Sequence, residues 1–201
     1  MSTIQSICVY CGSGPGADPA FAATAQAFGK ILAENKIHLV YGGGSIGLMG
    51  TVSASVLEHG GQVTGVIPEF LKSREKPMID GQELIVTRDM HERKRIMFER
   101  SDAFVALPGG IGTLEELVEQ LTWAQLGRHK KPILIANVGG FWDPLCTLLD
   151  HMKEMQFIRA GLEFKLLVAD RVEDILPMLR TAAKPVSETE KLMKAGAAER
   201  L

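Results

Sequence analysis

Short apolar segments that end in glycine-rich turns are the feature of this sequence that most constrains its fold. Apolar runs of strand length end at Tyr10, Tyr41 and Leu107, and each is followed by a glycine turn and a segment with helical spacing. Repeated strand–turn–helix units are typical of a parallel sheet with helices on both faces. The sequence therefore predicts a Rossmann-like, doubly wound α/β fold, with these three turns together at the carboxyl edge of the sheet, where such folds bind ligands.

The alternation continues along most of the chain. The predicted strands are residues 4–10, 37–41, 63–67, 83–87, 104–107, 132–136 and 164–168. Asp18 followed by Pro19 predicts the start of the first helix, as an N-cap with proline at the first helical position. Residues 68–82 lack clear periodicity and are interpreted as an irregular lid or substrate loop. We expect one domain over residues 1–184 and a peripheral tail over residues 185–201.

Composition limits the classes of function. A chain of 201 residues with 46% hydrophobic content is long enough for one well-buried core and short for two. The net charge of -2, with acidic and basic residues interspersed, predicts no general attraction to nucleic acid or to an anionic membrane. No apolar run approaches the length of a membrane span, and the first residues lack the pattern of a signal peptide, so we expect a cytoplasmic protein.

The segment PGGIGTLEE, residues 108–116, follows the apolar strand that ends at Leu107. A strand that stops at Pro-Gly-Gly and continues as a helix presents free backbone N–H groups at the positive end of the helix dipole, which is a place to hold a phosphate. The spacing of Thr113 and Glu116 also fits a capping box, with Thr113 as N-cap and Glu116 reaching back to it. A carboxylate beside a phosphate site is electrostatically unfavourable, because both groups are negative. A catalytic role for Glu116 therefore stays open beside the capping role.

The predicted helix over residues 90–100 carries Arg93 on its apolar face. Met90, Arg93, Met97 and Arg100 share that face at helical spacing. An inward guanidinium needs an anionic partner to offset its desolvation. The alternative is a solvated surface helix on which Arg93 pairs with Glu99 or Asp89.

Together these segments resemble the LONELY GUY family of cytokinin riboside 5′-monophosphate phosphoribohydrolases. Residues 108–116 match the family motif PGGxGTxxE at every fixed position, and the likeness extends from Cys8 to about Gly161. The resemblance implies that Arg93 and Glu116 are catalytic, that the protein is a homodimer, and that no metal or other cofactor is needed. The substrate-binding residues that it implies are Ser13, Gly43, Gly44, Glu75, Met90, Lys94, Gly109, Gly110, Ile111, Gly112, Thr113, Leu114, Glu115 and Thr122.

The predicted reaction is hydrolysis of the N-glycosidic bond of AMP, or of an N6-modified AMP, to free base and ribose 5-phosphate. Cleavage of this bond builds positive charge on the sugar, which the Glu116 carboxylate is expected to stabilise while it orients a water molecule. Arg93 is expected to clamp the substrate or to balance charge. The alternative function is a non-catalytic nucleotide-binding or carrier protein.

Three weaker patterns compete with this interpretation. Gly42, Gly44 and Gly47 match the dinucleotide fingerprint, with Glu69 near the end of the next strand, but the pattern lies on the second strand. Residues 43–47 also match the G-x-S-x-G nucleophile elbow, for which Asp143 or Asp150 and then His151 follow in the required order.

Cys8 and Cys11 form a third pattern, a C-x-x-C pair. No second such pair or paired histidines complete a metal set, and the five histidines are scattered, so a structural role is favoured and no metal site is expected.

Overall fold

The computed structural model describes residues 4–75, 81–158 and 164–183, apart from the side chains of residues 74 and 75. It contains one sheet of seven parallel strands in the order β4-β3-β2-β1-β5-β6-β7. This confirms the predicted Rossmann-like α/β fold. The strands are β1 (Ser6–Tyr10), β2 (His38–Tyr41), β3 (Val63–Pro68), β4 (Glu83–Thr87), β5 (Ala103–Ala106), β6 (Ile133–Ala136) and β7 (Leu166–Ala169).

The central strands are apolar because they are covered on both faces. Every residue of β3, β5 and β6 is buried, which explains why these segments are nearly continuous apolar runs rather than alternating ones. The two edge strands, β4 and β7, contain exposed residues and include Glu83 and the exposed Val86 and Val168.

Helices pack on both faces of the sheet. Phe28, Val52 and Ile175, from α1, α2 and α7, belong to one apolar core, whereas Met97 and Leu117, from α4 and α5, belong to the other. The helices are α1 (Pro19–Glu34), α2 (Gly47–Glu58), α3 (Lys72–Glu75), α4 (Met90–Glu99), α5 (Ile111–Gln125), α6 (Asp143–Glu154) and α7 (Val172–Ala182). Within the described ranges, no helix is long and apolar enough to span a bilayer.

The observed strand ends differ from the predicted ones by at most two residues. The N-cap at Asp18 is confirmed, because its carboxylate accepts a hydrogen bond of 2.8 Å from the Ala20 N–H. The prediction of an irregular segment over residues 68–82 is wrong for its first part, since Glu69–Leu71 forms a 3-10 turn and α3 follows it. Residues 76–80 of that segment and the predicted tail lie outside the described residues.

The sheet grows outward from β1 on both sides, with β2 to β4 on one side and β5 to β7 on the other. The chain passes from β1 to β2 on one side, and β5 pairs with β1 on the other side. In open α/β sheets the crevice at such a switch point, outside the carboxyl ends of the strands, is the usual ligand site. The residues that follow β1 and β5 are therefore the first candidates for a binding site.

Candidate active site

The three glycine turns contact one another at this edge. The N–H of Gly12 donates to the Pro108 carbonyl across 3.1 Å, which joins the turn after β1 to the turn after β5. Gly47 has a φ of +61°, and a Cβ placed on it would lie 2.3 Å from the carbonyl carbon of Ser13. The predicted assembly of the three turns is confirmed.

A cleft opens between these turns and the start of α1. It has a volume of about 280 Å³. Its walls are formed by Gly12, Ser13, Gly14, Gly16, Phe21, Leu48, Pro108, Gly109, Gly110 and Phe141. Three predicted binding residues, Ser13, Gly109 and Gly110, are therefore brought to one cleft.

The N-terminus of α5 forms the open part of this edge. The helix begins at Ile111, with Gly110 as its N-cap, and no side chain of the described residues donates or accepts a capping hydrogen bond there. Within the same part of the chain, a Cβ on Gly110 or Gly112 would have no neighbouring heavy atom within 4 Å. The backbone amides of the first helical turn are therefore approachable, and they lie at the positive end of the dipole of a 15-residue helix.

The capping-box prediction is wrong. Because α5 begins two residues before Thr113, this threonine lies inside the helix and its side chain is buried. A Cβ on Gly109 would lie 2.1 Å from the Thr113 Oγ1, so the missing side chain of Gly109 leaves the space in which Thr113 packs. Glu116 is consequently the sixth residue of the helix rather than the third, so it does not hold the capping-box position.

Glu116 instead forms a buried ion pair with Arg93. The Arg93 Nη1 donates to the Glu116 Oε1 across 2.5 Å, and the Arg93 Nε donates to the Val66 carbonyl across 3.0 Å. Arg93 is 7% exposed and Glu116 is 9% exposed. The prediction that Arg93 points inward is confirmed. The alternative pairing with Asp89 is wrong, since the Asp89 carboxylate caps α4 by accepting from the Glu92 N–H.

Two opposing effects act on the protonation of Glu116. Burial raises the pKa of this carboxyl group above its ordinary value, and the adjacent Arg93 guanidinium opposes the rise by favouring the charged form. The net direction is upward. A buried carboxyl group whose charged form is favoured mainly by one guanidinium is a candidate active-site group.

Lys94, the residue after Arg93 on α4, forms two further ion pairs with α5. Its Nζ lies 2.7 Å from the Glu115 Oε1 and 3.0 Å from the Glu119 Oε1. Burial alone would lower the pKa of Lys94, but the two glutamates reverse this effect and raise it. The predicted residues Lys94 and Glu115 are thus in contact. Glu119 was not predicted, although its position four residues after Glu115 on the same helix could have indicated it.

Several predicted binding residues are not placed at the open end of α5. Thr122 follows Gly112 by roughly 15 Å along the helix axis, and its exposed hydroxyl donates to the Val118 carbonyl. Gly43 and Gly44 are buried beneath the surface of the turn after β2. Met90 is half-buried at the start of α4, and Leu114 is half-buried on α5. The side chain of Glu75 lies outside the described residues.

The dinucleotide interpretation fails at the N-terminus of α2. The amides of Leu48 and Met49 both donate to the Gly12 carbonyl, at 3.0 and 3.3 Å. In a dinucleotide-binding protein these first-turn amides would face the pyrophosphate. Here the turn after β1 occupies them.

The other weak patterns also lack structural support. His151 is exposed on α6, which follows β6, and two strands separate β6 from β2, the strand before the G-x-S-x-G segment. Cys8 and Cys11 are buried free thiols whose pKa values are raised by burial, as a structural role requires. Among the described residues there is no group of three His, Cys, Asp or Glu side chains that could hold a metal ion.

Sequence comparison finds one family model and several similar known proteins. A family model described as "Possible lysine decarboxylase" matches residues 49–179. The probable cytokinin riboside 5′-monophosphate phosphoribohydrolase LOG4 of Oryza sativa subsp. japonica is 47% identical over 180 residues, which cover 90% of this chain and 78% of the relative. The LOG5 enzyme of Arabidopsis thaliana is 42% identical, with 93% and 82% covered. A phosphoribohydrolase of the same name from Rhodococcoides fascians is 39% identical, with 89% and 91% covered.

Solved structures with the same fold have more distant sequences. The molybdenum cofactor binding protein of Rippkaea orientalis superposes with a TM-score of 0.68 at 22% identity, covering 92% of this chain and 100% of that one. The Moco carrier protein of Chlamydomonas reinhardtii gives a TM-score of 0.65 at 23% identity, with 90% and 98% covered. At these identities the likeness shows a shared fold.

Proposed function

Because this chain belongs to the family of cytokinin riboside 5′-monophosphate phosphoribohydrolases, we propose that it hydrolyses the N-glycosidic bond of a nucleoside 5′-monophosphate. The expected base is adenine or an N6-modified adenine, and the products are the free base and ribose 5-phosphate. The observation that carries the proposal is the buried Arg93–Glu116 pair beside the uncapped N-terminus of α5.

The 5′-phosphate is expected to bind at the N-terminus of α5. The amides of Ile111, Gly112 and Thr113 belong to the first helical turn, and the absence of side chains at Gly110 and Gly112 leaves room for phosphate oxygens. Lys94 of α4 lies close to this helix, where it pairs with Glu115 and Glu119. This anchoring explains a preference for the monophosphate over the free nucleoside, because the nucleoside has no group to occupy the amides.

Glu116 is expected to act at the anomeric carbon. As the bond from C1′ to the base nitrogen breaks, positive charge develops on the sugar, and a carboxylate in a buried site stabilises that charge strongly. A water oxygen then bonds to C1′ while the carboxylate accepts a water proton, which it later gives up to solvent, and the base leaves with the electrons of the broken bond and takes up a proton from solvent. Arg93 favours the ionised form of Glu116, since its guanidinium opposes the rise in the pKa of Glu116 that burial causes. No metal or redox group takes part in this proposal.

The description of the family model as a possible lysine decarboxylase suggests a different reaction. An Arg–Glu pair next to a helix N-terminus matches the needs of a phosphorylated sugar better than those of a free amino acid. The names of the similar curated proteins agree with the hydrolase interpretation. The cytoplasmic location stays a prediction from the sequence.

We also propose that the protein is a homodimer that pairs through α5. Ile111, Val118 and Leu126 are exposed by 83%, 42% and 76%, and they lie within an arc of roughly 80° on one side of this helix. Thr122 lies in the same arc. If two copies of α5 crossed in antiparallel orientation near Val118, the middle of the helix, Thr122 of each copy would approach the other copy's N-terminus. This arrangement gives Thr122 the substrate contact that it cannot make within one chain.

Incubation with AMP and with N6-isopentenyl-AMP, followed by chromatography of the released base, tests the proposed reaction. We expect release by the wild type and a loss of at least about 100-fold in kcat for Glu116→Gln, with AMP binding preserved in calorimetry. Glu173→Gln, an exposed change on α7, is the matched control. Binding by the wild type without release would support the carrier alternative, and equal rates for Glu116→Gln would remove this residue from the mechanism.

A further inference from the structure

The guanidinium of Arg93 is held from three directions. Its Nε donates to the Val66 carbonyl, and its Nη1 donates to Glu116. Its Nη2 lies against the backbone of Gly42, the first residue after β2, so that a Cβ built on Gly42 would be only 2.4 Å from this nitrogen. The Sδ of Met49 would lie 3.0 Å from the same Cβ.

The backbone of Gly42 does not itself require glycine. Gly42 is absent from the residues with positive φ, in contrast to its neighbour Gly43, which has a φ of +81°. An alanine at position 42 would therefore be free of backbone strain. The reason for glycine at this position is the space that its missing side chain leaves.

We infer that Gly42 is a positioning residue for Arg93, because the space beside its Cα is the space that the Arg93 Nη2 occupies. The turn after β2 then serves the reaction by orienting the guanidinium, and the phosphate is bound elsewhere, at α5. This inference rests on the proposed function for its effect on turnover, while the contact itself is independent of the reaction.

Gly42→Ala should therefore impair the chemical step rather than binding of the phosphate. A methyl group 2.4 Å from Nη2 must displace the guanidinium, and both hydrogen bonds of Arg93 then become distorted. We expect kcat for AMP to fall at least about tenfold, since misplacement of a catalytic group by 1 Å has effects of this order or larger. The inhibition constant of ribose 5-phosphate should stay within about twofold, because the amides of α5 are untouched.

A double-mutant cycle with Arg93→Lys separates this role from a general packing defect. Lysine has a single nitrogen and no Nη2, so it should fit beside the methyl group that Gly42→Ala adds. The double variant should be no slower than Arg93→Lys alone, which means that the two effects are non-additive. Additive losses in kcat, or a wild-type kcat for Gly42→Ala, would overturn the inference.

The contact with Met49 supplies a second control. If the added methyl group acted through the Met49 sulfur, Met49→Ala would restore the activity of Gly42→Ala. We expect no such rescue, and rescue would assign the effect to Met49 instead of Arg93.

Unfolding by urea provides a readout that does not need turnover. Gly42→Ala should lower the free energy of unfolding in the wild-type background and leave it nearly unchanged in the Arg93→Lys background. If the wild type released no base from any nucleotide, the proposed reaction would fail. The difference in stability loss between the two backgrounds would still decide the role of Gly42. Equal losses of stability in both backgrounds would contradict that role.

Discussion

The Arg93 Nη1 and the Glu116 Oε1 lie 2.5 Å apart and join α4 to α5 across 23 residues of sequence. Counting the side-chain atoms alone, 9% of the surface of Arg93 and 11% of that of Glu116 is exposed, so both side chains are about nine-tenths buried. Desolvation of two charges costs free energy that their attraction often fails to recover, so a buried ion pair is poor evidence of a stabilising role. Because Glu116 lies in the first part of α5, near its N-terminus, we propose that the pair serves the reaction rather than stability.

The first prediction concerns the pH dependence of turnover. Burial raises the pKa of Glu116 above its ordinary value of 4.5, and Arg93 partly opposes this effect. The ionised, active form therefore exists above the raised pKa, and kcat/KM should fall as the pH decreases through it. We expect an acid limb with a midpoint above 4.5 in the pH profile of kcat/KM for AMP. A midpoint at or below this value would contradict the assignment of Glu116.

The second prediction concerns the removal of Arg93. In Arg93→Met the pKa of Glu116 should rise further, because the opposing positive charge is lost. At pH 7 we expect the free energy of unfolding to fall by about 3 kcal/mol, the order seen when one partner of a buried pair is removed. The folded variant binds more protons at Glu116 than the unfolded chain does, so part of the loss should be recovered as the pH decreases from about 7 to about 5.

Urea unfolding at the two pH values measures this effect. The control is Arg93→Met combined with Glu116→Leu, which removes both charges and should recover most of the stability at pH 7. A loss of stability in Arg93→Met that does not depend on pH would show that lost packing, rather than the unpaired carboxylate, is responsible.

Periodicity was sufficient to predict the fold, and it raised the inward direction of Arg93 as one of two possibilities. Apolar runs in the strands and the glycine turns after them specify a parallel sheet, and the carboxyl edge follows from that topology. Arg93 interrupts an apolar stripe that also contains the buried Met97, but this pattern left a solvated surface helix open, and the family resemblance favoured the inward direction. The strands and their turns depend on local pattern, which the sequence carries directly.

Contacts that depend on tertiary geometry were not predictable. The start of α5 at Ile111 displaced Thr113 from its predicted capping position, because Gly110 is itself the N-cap. The Val66 carbonyl that accepts from Arg93 is a backbone group, and no side chain at that position signals its role. The space at Gly42 is likewise visible only when the guanidinium is in place.

The third prediction compares two adjacent glycines. A Cβ on Gly109 would lie 2.1 Å from the Thr113 Oγ1 and 2.9 Å from the Gly12 nitrogen, so Gly109→Ala should lower the free energy of unfolding by about 1–3 kcal/mol, as overpacking does. Among the described residues, a Cβ on Gly110 meets no heavy atom within 4 Å. Gly110→Val should therefore lower the free energy of unfolding only by the preference for glycine at the N-cap, about 1 kcal/mol, but it should lose affinity for AMP, because its side chain would obstruct the approach to the α5 amides.

Thermal unfolding and calorimetry with AMP together test this contrast. Unchanged AMP affinity in Gly110→Val would contradict phosphate binding at the start of α5. Wild-type stability in Gly109→Ala would contradict the close packing of Thr113 against the turn.

The fourth prediction concerns the proposed pairing of two α5 helices. Val118→Asp places a charge at the middle of the exposed apolar stripe, where a two-fold contact would bring the two copies of residue 118 together and the charges would repel each other. We expect light scattering to show a dimer for the wild type and a monomer for this variant. The matched control is Val86→Asp on the edge strand β4, where valine is exposed to nearly the same extent, 43% against 42%. If Thr122 serves the other copy's substrate, the KM for AMP should rise in Val118→Asp and in Thr122→Ala but not in the control. A monomeric wild type with full activity would contradict both the pairing and the role of Thr122.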